Sequence, residues 1–169
     1  HVENKGDSIH LADGHGGHVL EVSDAPGLSQ RFNPHFYFQP YHRGGTSALS
    51  MDLKVGQGTE FLHEWRDAAS PYHAGPSFWV RDGKLLVGGK PLAEIPEETW
   101  VHLEVRAVTG EGAAGTWKLA LTLPGEAPRV FDHLTCDPAW KNLEWLGFVS
   151  DADRKTVYQI DNLRLDHHR

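Results

Sequence analysis

Nowhere in this chain do apolar residues recur at the i, i+3, i+4, i+7 spacing of a helix face; short apolar or alternating runs are instead broken every few residues by turn formers. A chain patterned this way buries its apolar side chains through strands, whose successive residues point to opposite faces. The runs lie at 9–11, 18–22, 35–41, 48–55, 60–65, 77–81, 84–87, 100–108, 116–123, 130–134, 145–149 and 156–165. About a dozen short strands predict an all-β fold, a two-sheet antiparallel β-sandwich. The 18 glycines and 10 prolines supply the punctuation. Asp82-Gly83, between Phe78-Trp79-Val80 and Leu85-Leu86-Val87, predicts a hairpin with positive φ at both turn centres. One helical turn is expected over 138–141 and no other helix.

With 169 residues and 39% hydrophobic content, the chain is sized for one core, so 1–169 reads as a single domain. The formal charge of -7 comes without any Lys/Arg stripe, which argues against nucleic acid and anionic membrane surfaces as partners. No stretch approaches the roughly 20 apolar residues of a membrane span. Cys136 is the only cysteine, so no internal disulfide forms. The first residues are neither a signal peptide nor an initiator methionine, an expectation that fits a mature exported protein or a module of a longer parent chain with neighbouring domains.

Alternation assigns faces. In 35–41, Phe36 and Phe38 point one way and His35, Tyr37, Gln39 and Tyr41 the other. In 77–81, Phe78 and Val80 turn inward, leaving Ser77, Trp79 and Arg81 outside; in 100–106, Val101, Leu103 and Val105 turn inward, leaving Trp100, His102, Glu104 and Arg106 outside. Several strands thus pair a core face with a polar and aromatic face.

The closing stretch, Trp145-Leu-Gly-Phe-Val-Ser-Asp followed by Val157-Tyr-Gln-Ile-Asp161-Asn162-Leu-Arg-Leu, resembles the last strands of concanavalin A-like (laminin G-like) jelly-roll domains. The segment from Gly88-Gly89 through Ile95-Pro96 and Trp100-Val-His-Leu-Glu-Val to Gly115-Thr-Trp117 is similar to them too. The resemblance implies a jelly roll of the carbohydrate-binding-module type, lectin-like and frequent in large exported bacterial proteins, hence secreted, periplasmic or at the cell surface. Its partner would be a polysaccharide or oligosaccharide. It also implies a structural Ca²⁺ where the first and last strands meet, with Asp161 as the matched carboxylate and Glu3, Asp7 or Asp24 as N-terminal partners, since calcium takes oxygen ligands.

Sugar rings are held by aromatic faces flanked by amide, carboxylate and guanidinium groups that hydrogen-bond hydroxyls. Tyr37, Gln39, Tyr41, Trp79 and Arg81 offer that chemistry, and His63, Glu64, Trp65, Arg66 and Asp67 form the densest polar and aromatic run. Packing of Trp65 and Tyr37 in a second layer, with Glu64–Arg66 as a structural ion pair, is the competing reading. The histidines do not show transition-metal spacing: His15 and His18 fall in a Gly-rich turn, His167-His168 is a terminal pair, and His63-Glu64 lacks the second histidine of a zinc helix.

Catalysis has weaker support. Jelly-roll glycosidases place carboxylates in a Glu-x-Asp-x-Glu pattern on one strand, and Glu60-Phe-Leu-His-Glu64 keeps the outer glutamates but has Leu62 at the centre. Jelly-roll lyases need tyrosine with histidine or glutamine near arginine; Tyr37, Gln39, Tyr41, His63 and Arg66 supply the types without the motif order. The leading expectation is a non-catalytic carbohydrate-binding module, with a structural or protein-interaction laminin G-like domain as the alternative and a jelly-roll lyase or hydrolase as a further one.

Overall fold

The structure, a computed structural model, describes residues 1–14 and 16–169; His15 lies outside the described residues. Thirteen strands follow in chain order: β1 (Ser8–Gly14), β2 (Gly17–Asp24), β3 (His35–Phe38), β4 (Gly45–Val55), β5 (Glu60–Arg66), β6 (Ala74–Arg81), β7 (Lys84–Val87), β8 (Lys90–Glu94), β9 (Val101–Thr109), β10 (Thr116–Thr122), β11 (Arg129–Thr135), β12 (Trp145–Ser150) and β13 (Thr156–His168). They form two sheets with antiparallel pairing throughout. Sheet A has the order β1-β2-β13-β4-β9-β10-β11 and sheet B the order β3-β12-β5-β6-β7-β8.

The alternation seen in the sequence is the alternation of burial. In β4, Leu49, Met51, Leu53 and Val55 are buried between the sheets, as are Val101, Leu103 and Val105 of β9. Sheet B meets them with Phe61 and Trp65 of β5, Phe78 and Val80 of β6, and Leu146 and Phe148 of β12. Removing this much apolar surface from water is the main drive for closing the sandwich. Trp140 enters the core from the loop before β12; a Cβ at Gly75 would fall 2.4 Å from its indole, so that position of β6 must be glycine for the ring to fit.

The Asp82-Gly83 hairpin forms as expected, with φ of 50° and 66° and Arg81 opposite Lys84. Three local expectations change. The strand at 35–41 stops at Phe38, and Tyr41 adopts φ of 57° in the loop beyond it. Residues 138–141 make a turn closed by the Trp140 N–H donating to the Asp137 carbonyl, and the only helical element among the described residues is a 3-10 turn at Gly110–Gly112. The strand β8 has no counterpart among the runs, because an edge strand covered on one face with Pro91 in it carries little apolar signal.

Candidate functional site

The outward face of sheet B gathers most of the polar and aromatic side chains singled out from the sequence. Strand register sets them in rows that cross the strands. One row runs Trp145–Arg66–Ala74, the next Tyr37–Gly147–Glu64–Ser77, the next His35–Val149–Leu62–Trp79–Leu86, and the last Glu60–Arg81–Lys84. At about 4.8 Å between strands and roughly 6.8 Å between successive same-face residues, this is a surface some 20 Å on a side.

One end of the face is organised around Arg66. The guanidinium carbon lies 4.0 Å from the Trp145 ring centroid and 4.1 Å from that of Tyr72, and Nε donates to Glu64 Oε1 at 2.5 Å. Cation–π contact on two faces and a charge-assisted hydrogen bond at the edge leave this arginine little rotational freedom. Trp145 can lie flat because position 147 has no side chain: a Cβ there would sit 1.7 Å from the indole. Trp-x-Gly on one strand is thus what turns a tryptophan down onto the sheet. The Tyr37 ring follows at 5.6 Å from Trp145, tilted by 30°, and His35 and His1 continue the stack, 4.2 Å apart.

Tyr72 is delivered by the loop between β5 and β6. Asp67 anchors that loop: its carboxylate accepts the main-chain N–H groups of Ala69 and His73 and the His73 ring Nδ1–H at 2.7 Å. Partial burial works against the Asp67 charge, but the His73 and Ala69 hydrogen bonds prevail and hold its carboxyl below the usual range. The same hydrogen bond, working against partial desolvation, raises the affinity of His73 for a proton.

At the other end of the face Arg81 lies 4.4 Å from the Trp79 ring. Its Nε is 2.9 Å from Glu60 Oε2, close enough for ionic attraction although the N–H is not aimed well enough for a hydrogen bond. Asp151 joins Arg81 at 3.8 Å and Arg31 at 3.1 Å, and Arg154 reaches Glu60 at 3.3 Å. Beside Trp79 the surface dips into a hollow of about 260 Å³ lined in part by Ser77, Gly88, Gly89 and Asp137.

Five expected ligand residues, Tyr37, Glu64, Arg66, Trp79 and Arg81, therefore share one face. His63 and Trp65 do not: both are fully buried on the inner side of β5, as strand parity requires once Glu64 and Arg66 point outward. The Trp65 indole N–H donates to His63 Nε2 at 2.8 Å, and His63 Nδ1–H donates to the Gly147 carbonyl at 2.9 Å. Burial pushes the His63 pKa down to about 3, so it sits in the core as a neutral, doubly bonded ring. Gln39 and Tyr41 leave the face as well. Gln39 lines an apolar cleft of about 410 Å³ on the open flank of the sandwich, with Phe38, Leu163 and Leu165, and Tyr41 lines a separate hollow near the C-terminus. Trp145 and Tyr72, the two rings against Arg66, were not among the residues expected on this face; the glycine two residues after Trp145 was the available signal.

The expected calcium ligands are not gathered either. The Glu3 carboxylate accepts the N–H groups of Ser29 and Gln30 and the Asn33 side chain, with Lys5 beside it, and these hydrogen bonds hold its pKa far below normal. Asp24 is buried, accepting from Ser150 Oγ and from the N–H groups of Ala25 and Ala152; desolvation nevertheless raises its pKa. Asp161 stands opposite Asp52 at a bulge where Asn162 takes φ of 50° and donates its side-chain amide to Asp52. Asp7 accepts the main-chain N–H groups of Glu3 and Lys5. Among the described residues no three His, Cys, Asp or Glu side chains are arranged to hold a metal ion.

Solved structures place this architecture. An alginate lyase from Aplysia kurodai superposes with a TM-score of 0.66 over 95% of this chain and 87% of its own, at 11% identity. The chain has the concanavalin A-like jelly-roll fold. An endo-β-1,4-glucuronan lyase from Trichoderma reesei gives 0.66 at 8% identity, covering 99% of this chain and 90% of that one. A carbohydrate esterase of the Shiga toxin-encoding bacteriophage phi24B gives 0.62 at 13% identity, covering 98% and 89%. At such identities the likeness is one of fold. No protein-family model matches the sequence, and no curated protein is significantly similar to it.

Proposed function

We propose that this jelly roll is a carbohydrate-binding module whose ligand lies on the outward face of sheet B. The observation that carries the reading is Arg66 held between the Trp145 and Tyr72 rings with Glu64 at its edge. The exposed rings of Tyr37 and Tyr72 supply apolar surface to the C–H side of a sugar, and fixed guanidinium and carboxylate groups supply donors and acceptors for its hydroxyls. Such groups pay little ordering entropy on binding because the protein already holds them in place. The lyases and esterase named above act on carbohydrates, which adds support from the fold's company. On this reading the protein meets polysaccharide outside the cytoplasm.

Hydrolysis has little to work with here. Glu60 and Glu64, four residues apart on β5, are separated by about 13 Å, against the roughly 5–9.5 Å that a glycosidase pair spans. A lyase is the second reading, and one observation favours it: Tyr72 lies against Arg66 and Tyr37 against Trp145, so phenol and guanidinium share the face. Affinity electrophoresis against a panel of soluble polysaccharides, with the polymer recovered, sized and assayed for unsaturated ends, tests both. Retardation with unchanged polymer length is the expected result. Shortened polymer with unsaturated ends would replace the binding reading by the lyase one, and no retardation by any polymer would remove both.

A further inference from the structure

The charge arrangement on this face bears on which class of glycan it takes. Four guanidinium groups border it, and each lies within ion-pair distance of a carboxylate: Arg66 with Glu64, Arg81 with Glu60 and Asp151, Arg31 with Asp151, and Arg154 with Glu60. A ligand carboxylate needs a cation whose charge is not already met, since it gives up hydration on binding. Here it would find its charge opposed by Glu64 in the middle of the platform and by Glu60 and Asp151 at its end. A chain of net charge -7 adds repulsion at long range.

A hydroxyl has the opposite requirement. It donates one hydrogen bond and accepts others, so neighbouring hydroxyls on a ring are matched by an acceptor and a donor held side by side. Arg66 and Glu64 are such a pair: Nε is used on Glu64 Oε1, while Glu64 Oε2 and the two terminal amino groups of Arg66 carry no hydrogen bond among the described residues. Because Trp145 and Tyr72 clamp the guanidinium, this donor and acceptor keep their spacing without a ligand.

We infer that the outward face of sheet B selects neutral, hydroxyl-rich glycans and discriminates against polyuronates, with Glu64 as the residue that sets the preference. The inference rests on the carbohydrate-binding reading and goes beyond it. The test is binding of the whole chain to neutral polymers (xylan, glucomannan, mixed-linkage β-glucan, galactan) and acidic ones (alginate, polygalacturonate, glucuronan) at low and high salt. A neutral polymer should bind with an affinity that changes less than about twofold with salt, because no net charge is being neutralised. Glu64→Gln, with folding checked by its thermal melt, should weaken that binding roughly tenfold and bring measurable, salt-sensitive retention of an acidic polymer by the freed Arg66. Binding of acidic polymers alone by the wild type, steeply weakened by salt, would overturn the inference while leaving the carbohydrate reading intact. So would an E64Q variant whose neutral-to-acidic preference matches the wild type. Binding to neither class would remove the carbohydrate reading and the inference with it.

Discussion

The outward faces of the two sheets come from the same alternating pattern and end up as different surfaces. On sheet A the strands present Asp52 and Lys54, His102 and Glu104, Lys118, and Gln159, and these side chains largely satisfy one another: His102 donates to Asp52 at 2.6 Å, Gln159 to Glu21 at 2.7 Å, and Lys118 pairs with Asp132 at 2.8 Å. Such exposed pairs are worth little and suit a solvated surface. On sheet B the corresponding positions hold Tyr37, Trp145, Arg66, Glu64, Trp79 and Arg81, with the guanidinium carbons of Arg66 and Arg81 4.0 and 4.4 Å from the Trp145 and Trp79 ring centroids. Polar-out alternation tells which residues face water. Whether that face is also a platform depends on whether rings lie flat on it, and here that depends on Gly147.

The largest effect is expected one residue away from the platform, on the inner side of β5: Trp65→Ala should cost about 3–5 kcal/mol of stability in chemical denaturation, because it empties a fully buried site. A mild loss of stability with a large loss of binding would instead put Trp65 on the binding face. Trp145→Ala should do the reverse, weakening binding of a retained glycan about tenfold or more, or about 1.4 kcal/mol, with little change in melting temperature. Gly147→Ala should lift the indole off the strand and lose roughly fivefold in binding, with a changed tryptophan near-ultraviolet signal. An unchanged signal would mean that the ring does not need the glycine.

Acid titration reports on the inner side of β5. The folded pKa of His63, about 3, lies below the ordinary imidazole value near 6.5, so its contribution to stability is complete above pH 6.5 and is lost progressively as pH falls toward 3. His63→Gln keeps a donor for the Gly147 carbonyl and an acceptor for the Trp65 indole but removes the titration, so denaturation midpoints of this variant should fall less between pH 6 and 4 than those of the wild type. An equal fall would show that His63 is not a source of acid sensitivity. The smallest effect is expected on sheet A, where His102→Ala should change stability by no more than about 0.5 kcal/mol and leave glycan binding as it was.

Much of the sandwich was legible because period-two burial is written into β4, β6 and β9, and because Asp82-Gly83 can close only a tight hairpin. The same rule, applied strictly to β5, would have separated Trp65 from its neighbours Glu64 and Arg66; local richness in polar and aromatic residues hid the parity. Gln39 and Tyr41 were misplaced because a strand end is decided by tertiary contacts, here the bridge between His42 and Leu143. The calcium set drew on carboxylates far apart in the chain, and their hydrogen bonds to Ser29, Ser150 and Asn162 could not be seen from spacing. Tyr72 reaches Arg66 only through the loop that Asp67 folds, a contact no periodicity announces.

If the proposed function holds, sheet B and not sheet A is the glycan-facing surface. Binding isotherms of the wild type, Trp145→Ala and His102→Ala on one retained polysaccharide, measured side by side, test it most directly. The expected result is about a tenfold or greater loss for Trp145→Ala and a curve for His102→Ala that overlays the wild type. Loss of binding in His102→Ala with Trp145→Ala unaffected would contradict it and move the site to the other sheet.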